Sequence, residues 1–452
     1  MTIFVKDKSF YRKLLTIAIP VALQGLITFG VNMTDTIMLG SFGEIMLSGS
    51  SLANSFYSLF HILCLGLCGG SSVICSQYWG KQDKESVKKM VSILLKMTFL
   101  VAVGFMLLVF IMPGTIMSIF TNEKTVIEAG VKYFSFLRYA FIFHGLSLAG
   151  TAVLRSIGVV QLPLFASICS FTFNIFFNWM FIFGKLGAPR MEIAGAAVGT
   201  LLARIIEFMI IIGYLVFKDK QLGFRLHNLK GFNKDIFTRY YKTGLPVLIS
   251  DAILALGNNA VAIIIGQMGS NFVAANSITQ MVVQIISVFS MALSNAASVI
   301  TGKTIGEGKK EEAYHQGVTF FVIAIMIGIV GGIIIYLLRP LAIDLYNVTD
   351  ETKAIANQIL AAVSIIFIFQ AQDGCLTKGV LRGGGDTKFL MFADVAFLWI
   401  ASIPLGIITG LVLHLPPSIV YVFLKIDLII KAIICIKRLF SKQWIKDVTI
   451  LE

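Results

Sequence analysis

Apolar runs of 20 or more residues, each ended by a short polar or basic segment, follow one another along the whole chain. They fall near residues 14–39, 50–77, 87–112, 131–154, 160–184, 193–217, 240–266, 272–302, 314–338, 355–381, 389–413 and 416–436. A helix of about 20 apolar residues crosses the roughly 30 Å hydrocarbon layer of a bilayer. The pattern therefore predicts an all-α integral membrane protein with twelve transmembrane helices. Strands of a membrane β-barrel are alternating segments of about 10 residues, so runs of this length exclude a barrel.

The polar residues left inside these runs recur at helical spacing. Gln24, Thr28, Asn32 and Asp35 share one face of the first run, and Ser167, Ser170, Asn174 and Asn178 share one face of the fifth. The eighth carries Asn276, Gln280, Gln284, Ser287 and, farther on, Asn295; the tenth carries Gln370, Asp373 and Thr377. Such faces are costly against lipid and are expected to line the bundle interior or a watery cavity. A single Ser or Asn is adequately explained as interhelical adhesion, at about 0.6 kcal/mol each. A carboxylate is different, because a charge at the centre of a span costs about 2.5–3.5 kcal/mol on insertion scales. Asp35 is thus a functional candidate: either something solvates it, or it works by being poorly solvated. Glu207, three residues after Arg204, is expected in an internal ion pair. Asp427, between Lys425 and Lys431 near a membrane end, is expected to snorkel to the surface. For Asp394, near the start of a span, structural and functional readings balance.

The chain also repeats itself. Pro20 and Pro246, Asn32 and Asn258, Gly40 and Gly266, Gly43 and Gly269, Gly80 and Gly306, and Phe120 and Tyr346 all stand 226 residues apart. Leu154 of "LRSIG" and Leu381 of "LRGGG" stand 227 apart. This is a tandem duplication of a six-span unit, and because six is even both copies enter the membrane the same way. Parallel repeats of this kind are related by an axis along the membrane normal, with substrate at their interface. The expected organisation is two parallel six-helix lobes with a central cavity: residues 1–217, a basic cytoplasmic linker over 218–238, and residues 239–452. The copies differ in their acids. The counterpart of Asp35 is Val261 and that of Asp251 is Gly25, so the duplicated scaffold itself requires neither carboxylate.

Composition agrees with the membrane reading: 57% of residues are hydrophobic, 13% are charged, and mean hydropathy is +0.86. A soluble domain carries about 25% charged residues. The net charge of +13 is explained by topology rather than by nucleic acid. With the N-terminus inside, 25 basic residues fall in loops and span ends on the cytoplasmic side and 6 on the other. By the positive-inside rule both termini are cytoplasmic. The six cysteines form no CxxC and lie mostly in apolar runs, as reduced, buried thiols do. The opening "MTIFVKDKSFYRKLL" has no small-residue cleavage site, so the first run is expected to stay as a span.

Several stretches together resemble the multidrug and toxic compound extrusion (MATE) family. They are "IPVALQGLITFGVNMTDTIMLGSFG", "FNIFFNWMFIFGKLGAP" followed by "GAAVGTLLAR", the second-lobe opening "GLPVLISDAILALGNN", and "GVLRGGGDTKF". The resemblance runs through to the tail "IKRLFSKQWIKDVT". It implies a plasma (inner) membrane antiporter that exports amphipathic, often cationic drugs against incoming Na⁺ or H⁺ by alternating access, with no cofactor beyond that coupling ion. In such proteins the first-span aspartate binds the cation, which is Asp35 here. The fifth-span pair matches Asn174 and Asn178, and the sixth-span threonine of "AVGT" matches Thr200. Some relatives have a carboxylate where this chain has Asn178. The second-lobe acid of many members resembles Asp251, with Asp373 a looser match. Asn32, Asn174, Asn178 and Thr200 offer neutral oxygens, suited to Na⁺ beside one carboxylate or to a hydrogen bond with a protonated acid. Gln280, Met281, Gln284, Phe289 and Met291 are expected to line the drug cavity between the lobes.

Rival functions are weaker. A flippase for a lipid-linked precursor, from the same broad superfamily, calls for a cationic cavity. Away from the last span only Lys96, Arg138, Arg204 and Lys378 are basic inside spans, and none are neighbours in sequence. An enzyme is not indicated: the five histidines are scattered and neither DDxxD nor HExxH occurs. "TGKT" at Thr301 lacks the earlier glycine of a phosphate-binding loop and sits at a span end. The expected partners are an amphipathic small molecule and membrane lipid, with no nucleic acid and no obligate protein partner.

Overall fold

The computed structural model describes residues 4–41, 43–346 and 348–450. Among these, the regular elements are all helical. They are α1 (Lys8–Gly40), α2 (Glu44–Gly80), α3 (Lys84–Ile111), α4 (Pro113–Phe120), α5 (Lys124–Ser156), α6 (Gln161–Phe183), α7 (Ile193–Gly213) and α8 (Lys234–Gln267). There follow α9 (Ser270–Gly306), α10 (Lys310–Asp344), α11 (Asp350–Asp373), α12 (Thr387–Phe397), α13 (Ile403–Ile407), α14 (Pro417–Leu424) and α15 (Ile426–Phe440). Wider π-helical turns extend or join several of them, at Tyr214–Lys218, Gly374–Leu381, Leu398–Ser402 and Ile408–Val412.

Eleven of the resulting helical segments are long and apolar enough to cross a membrane, and they match the first eleven apolar runs. The twelfth run is broken. Between α14 and α15 the backbone at Lys425 leaves helical geometry, with φ −120° and ψ 16°. The protein is an all-α membrane protein of the kind the apolar runs predict.

Local chemistry sets the helix ends. Asp83 caps α3 by accepting from the Ser86 amide at 3.0 Å, and Thr349 caps α11 by accepting from the Thr352 amide at 3.3 Å. Gly184 ends α6 in the left-handed region, where glycine is least strained.

The chain forms two compact units. One contains Leu23–Cys75 and Asp83–Tyr241; its core is Phe60, Phe134, Phe141, Tyr133 and their neighbours. The other contains the segment ending at Ala22, Ser76–Gln82 and the chain from Lys242 onward. Phe367, Ile359, Leu360, Ile335 and Leu424 stand in its core. Helix α1 changes unit just beyond Pro20, which cannot donate a helical hydrogen bond.

The internal repeat is visible in the backbone. Gly43 and Gly269, 226 residues apart, both turn the chain with strongly positive φ, +102° and +105°. Close to the ends of α2 and α9 the correspondence becomes a contact. A β-carbon on Gly80 would lie 2.1 Å from the Lys303 carbonyl oxygen, and one on Gly306 would lie 2.0 Å from the Gln77 carbonyl oxygen. Gln77 and Lys303 are themselves repeat counterparts. The two helix ends therefore touch through matching positions, and glycine is needed for that approach.

Candidate functional site

The site grows from α1, α6 and α7. On α1, at 3.6 residues per turn, Asp35 stands only about 20° around the axis from Gln24, whereas Asn32 stands about 80° away. The two aligned residues both meet α6. Gln24 donates to the Ser167 hydroxyl at 3.1 Å and accepts from Arg155. Asp35 accepts from the Asn178 amide nitrogen at 2.5 Å. Thr28 and Asn32 are exposed; the Thr28 hydroxyl donates to the Gln24 carbonyl on its own helix, and the Asn32 backbone carbonyl accepts from Thr36. Asn32 is thus not gathered with the other predicted cation residues.

Asn174 and Asn178 lie one turn apart on the buried face of α6, and the Asn178 amide nitrogen also donates to Asn174 Oδ1 at 3.3 Å. Helix α7 closes on this pair because residue 199 is glycine: a β-carbon there would lie 2.1 Å from Asn178 Oδ1. Thr200 follows directly. Asn178 Oδ1 and Thr200 Oγ1 are both buried without a hydrogen-bond partner. Two residues that the sequence does not single out complete the surroundings. The Tyr133 hydroxyl donates to Asn54 Oδ1 at 3.5 Å and stands within electrostatic reach of Asp35.

Charge pairing separates Asp35 from the other span acids. Glu207 is bonded to Arg204 at 2.7 Å, as its spacing predicts. Asp251 is paired with Arg382 at 3.1 Å. Asp373, Asp394 and Asp427 all approach Lys431. Asp427 and Lys431 are both buried, so the expected snorkelling does not occur; the carboxylate finds its base one helical turn away instead. Among the described residues Asp35 has no such partner, and Arg204, which lies within its electrostatic reach, is already taken by Glu207. Beside that ion pair the Tyr57 hydroxyl meets His144 Nδ1 at 2.6 Å, and the His61 ring stacks on His144. That grouping has no signature in residue spacing.

The arrangement offers one carboxylate without a base, an amide oxygen and a hydroxyl oxygen without partners, and no nitrogen or sulfur donor among them. Such a set suits a hard monovalent cation or a proton on the acid. Asp251 and Asp373 lie in the other unit, apart from one another's partners. The five predicted cavity residues are on α9. Gln280, Gln284, Phe289 and Met291 are exposed, with Gln280 reaching the Tyr421 hydroxyl at 3.4 Å, while Met281 is half-buried against the Tyr346 hydroxyl.

Comparison with known proteins gives a family. The MatE family model matches residues 20–180 and 246–408, one block in each repeat. The chain is 22% identical to the "Uncharacterized transporter YisQ" of Bacillus subtilis over 97% of this chain and 96% of that protein. It is 27% identical to the "Probable multidrug resistance protein NorM" of Mesorhizobium japonicum over 88% and 86% respectively. Among solved structures, a MATE transporter in the bent conformation shares the fold with TM-score 0.87 at 17% identity, covering 96% of each chain. The Vibrio cholerae MATE transporter VcmN gives 0.88 at 14% identity, over 97% of this chain and 98% of that one.

Proposed function

The chain belongs to the MatE family of membrane transporters, and from that premise we propose that it is an antiporter exporting amphipathic, often cationic compounds in exchange for Na⁺ or H⁺. The observation that supports this reading is Asp35, a span carboxylate with no base, bonded by Asn178, whose own Oδ1 is buried without a partner. Asn174 supports the site by fixing the Asn178 amide.

Coupling follows if the cation and the exported compound prefer different states of the protein, since a ligand shifts an equilibrium only through differential affinity. A cation at Asp35 would draw Asn178 and Thr200 toward α1. Release would leave a bare carboxylate in a poorly solvated site, a state stable only where water reaches it. The relatives named for multidrug resistance support an organic substrate. The exposed α9 stripe of Gln280, Gln284 and Met291, mixing amide and apolar side chains, suits an amphipathic molecule better than lipid tails; Phe289 stands on the opposite side of the helix. The basic-residue asymmetry supports an inner-membrane orientation with both termini cytoplasmic.

The test is ethidium transport in proteoliposomes under separately imposed Na⁺ and pH gradients, comparing wild type with Asp35→Asn. One gradient should drive export, and the variant should fall to the level of protein-free vesicles. Export that persists in Asp35→Asn would move the coupling site elsewhere, and no ethidium movement under either gradient would overturn the exporter reading.

A further inference from the structure

Arg339 on α10 has no part in the mechanism above. It directly follows the ninth apolar run, 314–338, so its backbone stands where the hydrocarbon layer ends and the headgroups begin. The neighbouring helix agrees with that depth. A β-carbon on Gly328 would lie 2.8 Å from Ile368 Cα, and one on Gly332 would lie 2.2 Å from the Ser364 carbonyl oxygen. These contacts fix α10 and α11 in an antiparallel register. Carried two helical turns farther, the register brings the exposed Asn357 of α11 level with Arg339.

The arginine is positioned but not neutralised. Its guanidinium carbon lies over the Tyr336 ring, 4.2 Å from the centroid, a cation–π contact that fixes the side chain. Its Nε is buried without a hydrogen-bond partner. Among the described residues no carboxylate pairs with it. Asp344 faces Lys353 at 3.8 Å, and Glu351 accepts from the Asn271 amide at 2.8 Å.

Tyr336 also lines a groove of about 260 Å³ between α10 and α11, on the hydrocarbon side of Arg339. Ile329, Ile333 and Leu337, one turn apart, form one wall, and Ile365 and Ile368 form the other. The glycine at 332 lets the two backbones meet and leaves no side chain to fill the space. A cation at headgroup level above an apolar groove matches the two parts of a phospholipid, a phosphate and an acyl chain. Arginine suits the first, because its planar fork of donors fits phosphate oxygens.

The internal repeat supplies an independent observation. The counterpart of Tyr336 is Phe110, and the Arg138 guanidinium lies over that ring at 4.7 Å, again with a buried, partnerless Nε. The two arginines are not counterparts: position 339 corresponds to Pro113, and position 138 to Ser364. The shared scaffold therefore does not dictate the arginine, yet each copy sets one over the same exposed ring.

We propose that the α10–α11 groove is a binding site for a membrane phospholipid, with its phosphate on Arg339 and one acyl chain between Ile333 and Ile365. In the orientation proposed above, the lipid belongs to the outer leaflet. The site itself does not depend on the exporter reading.

The experiment uses the purified full-length protein in a neutral maltoside detergent with a trace of phosphatidylglycerol bearing a photoreactive group on one acyl chain. After irradiation, labelled peptides are mapped by mass spectrometry. Labelling should concentrate at residues 329–337 and 364–368. In Arg339→Gln it should fall about ten-fold, the scale of one lost charge-assisted contact, and be partly restored in Arg339→Lys. Labelling of α3 should stay constant, which shows that the variant is folded. Ile365→Trp, which narrows the groove and leaves Arg339 in place, should also lower labelling at 329–337 and keeps the test decisive if Arg339→Gln misfolds. A diacylglycerol with the same photoreactive chain, lacking the phosphate, should label the groove no more than it labels α3. Even labelling of all exposed spans, or groove labelling unchanged in Arg339→Gln, overturns the proposal. Displacement of the label by excess inorganic phosphate would also overturn it, in favour of a simple anion site.

Discussion

Asp35 and Asp373 are both acids within membrane-spanning helices, yet their surroundings are built on opposite plans. Around Asp35 every neighbour that bonds it is neutral, and the nearby guanidinium of Arg204 is bound to Glu207. Around Asp373 a lysine ammonium is part of the chain and touches three acids at once. Among the described residues no base pairs with Asp35, whereas the cluster around Asp373 holds most of its own positive charge. The difference teaches that a buried carboxylate is not by itself a signature of ion exchange. What matters is the balance of charge and of hydrogen-bonding atoms around it.

The largest effect that would sharpen this contrast is expected from Lys431→Met. Removing the ammonium leaves three buried acids without a shared base, and breaking a buried pair this way costs about 3–5 kcal/mol. Thermal unfolding of the detergent-solubilised protein should show a large loss of stability, absent in Asp35→Asn. Equal stability of the two variants would break the comparison. An intermediate effect is expected from Gly199→Ala. Its β-carbon would occupy the space of Asn178 Oδ1, 2.1 Å away, and overpacking of this kind costs about 1–3 kcal/mol. Cation binding should weaken more than stability falls, because the displaced amide is the one bonded to Asp35. Cation affinity and unfolding temperature, measured on the same preparation, check this.

The smallest effect is expected at the exposed end of α10. Lys442, hydrogen-bonded to Glu311 at 2.8 Å and close in charge, holds that carboxyl below the usual glutamate range. Its contribution to stability is present above the unfolded-state value of about 4.3 and is lost as pH falls through the lowered folded-state value. Glu311→Gln should therefore change unfolding temperature slightly near neutrality, less at high salt, and not at all in strong acid. Transport should be unchanged.

The first eleven spans were legible because hydrophobic run length is a local property, and the duplication because a constant offset survives divergence. Asp35 and Asn178 could be singled out from helical spacing and family resemblance. Two features could not. Asn32 shares the Asp35 stripe on paper, but it stands exposed on α1, about 60° around the helix from Asp35. The Lys431 cluster hides for a different reason. The spacing of Asp427 and Lys431 is readable as an ion pair, but the closure of Asp373 and Asp394 on the same ammonium depends on how α11, α12 and α15 pack. Asp427 reads as lying at an accessible membrane end, but beyond the break at Lys425 it is buried beside Lys431.

The mutual approach of Gly80 and Gly306 has a consequence for ancestry. Gly80 meets the carbonyl of Lys303 and Gly306 meets that of Gln77, the repeat counterpart of Lys303, so the contact is isologous, the pattern made by two identical subunits about a two-fold axis. A single six-helix ancestor, inserted in one orientation, could have assembled through this same patch as a homodimer. In that ancestor any acid would have appeared in both subunits. Fusion into one gene freed each copy to vary alone, which is the condition under which one copy could carry Asp35 where the other carries Val261, and a lysine-centred cluster could arise in one copy only.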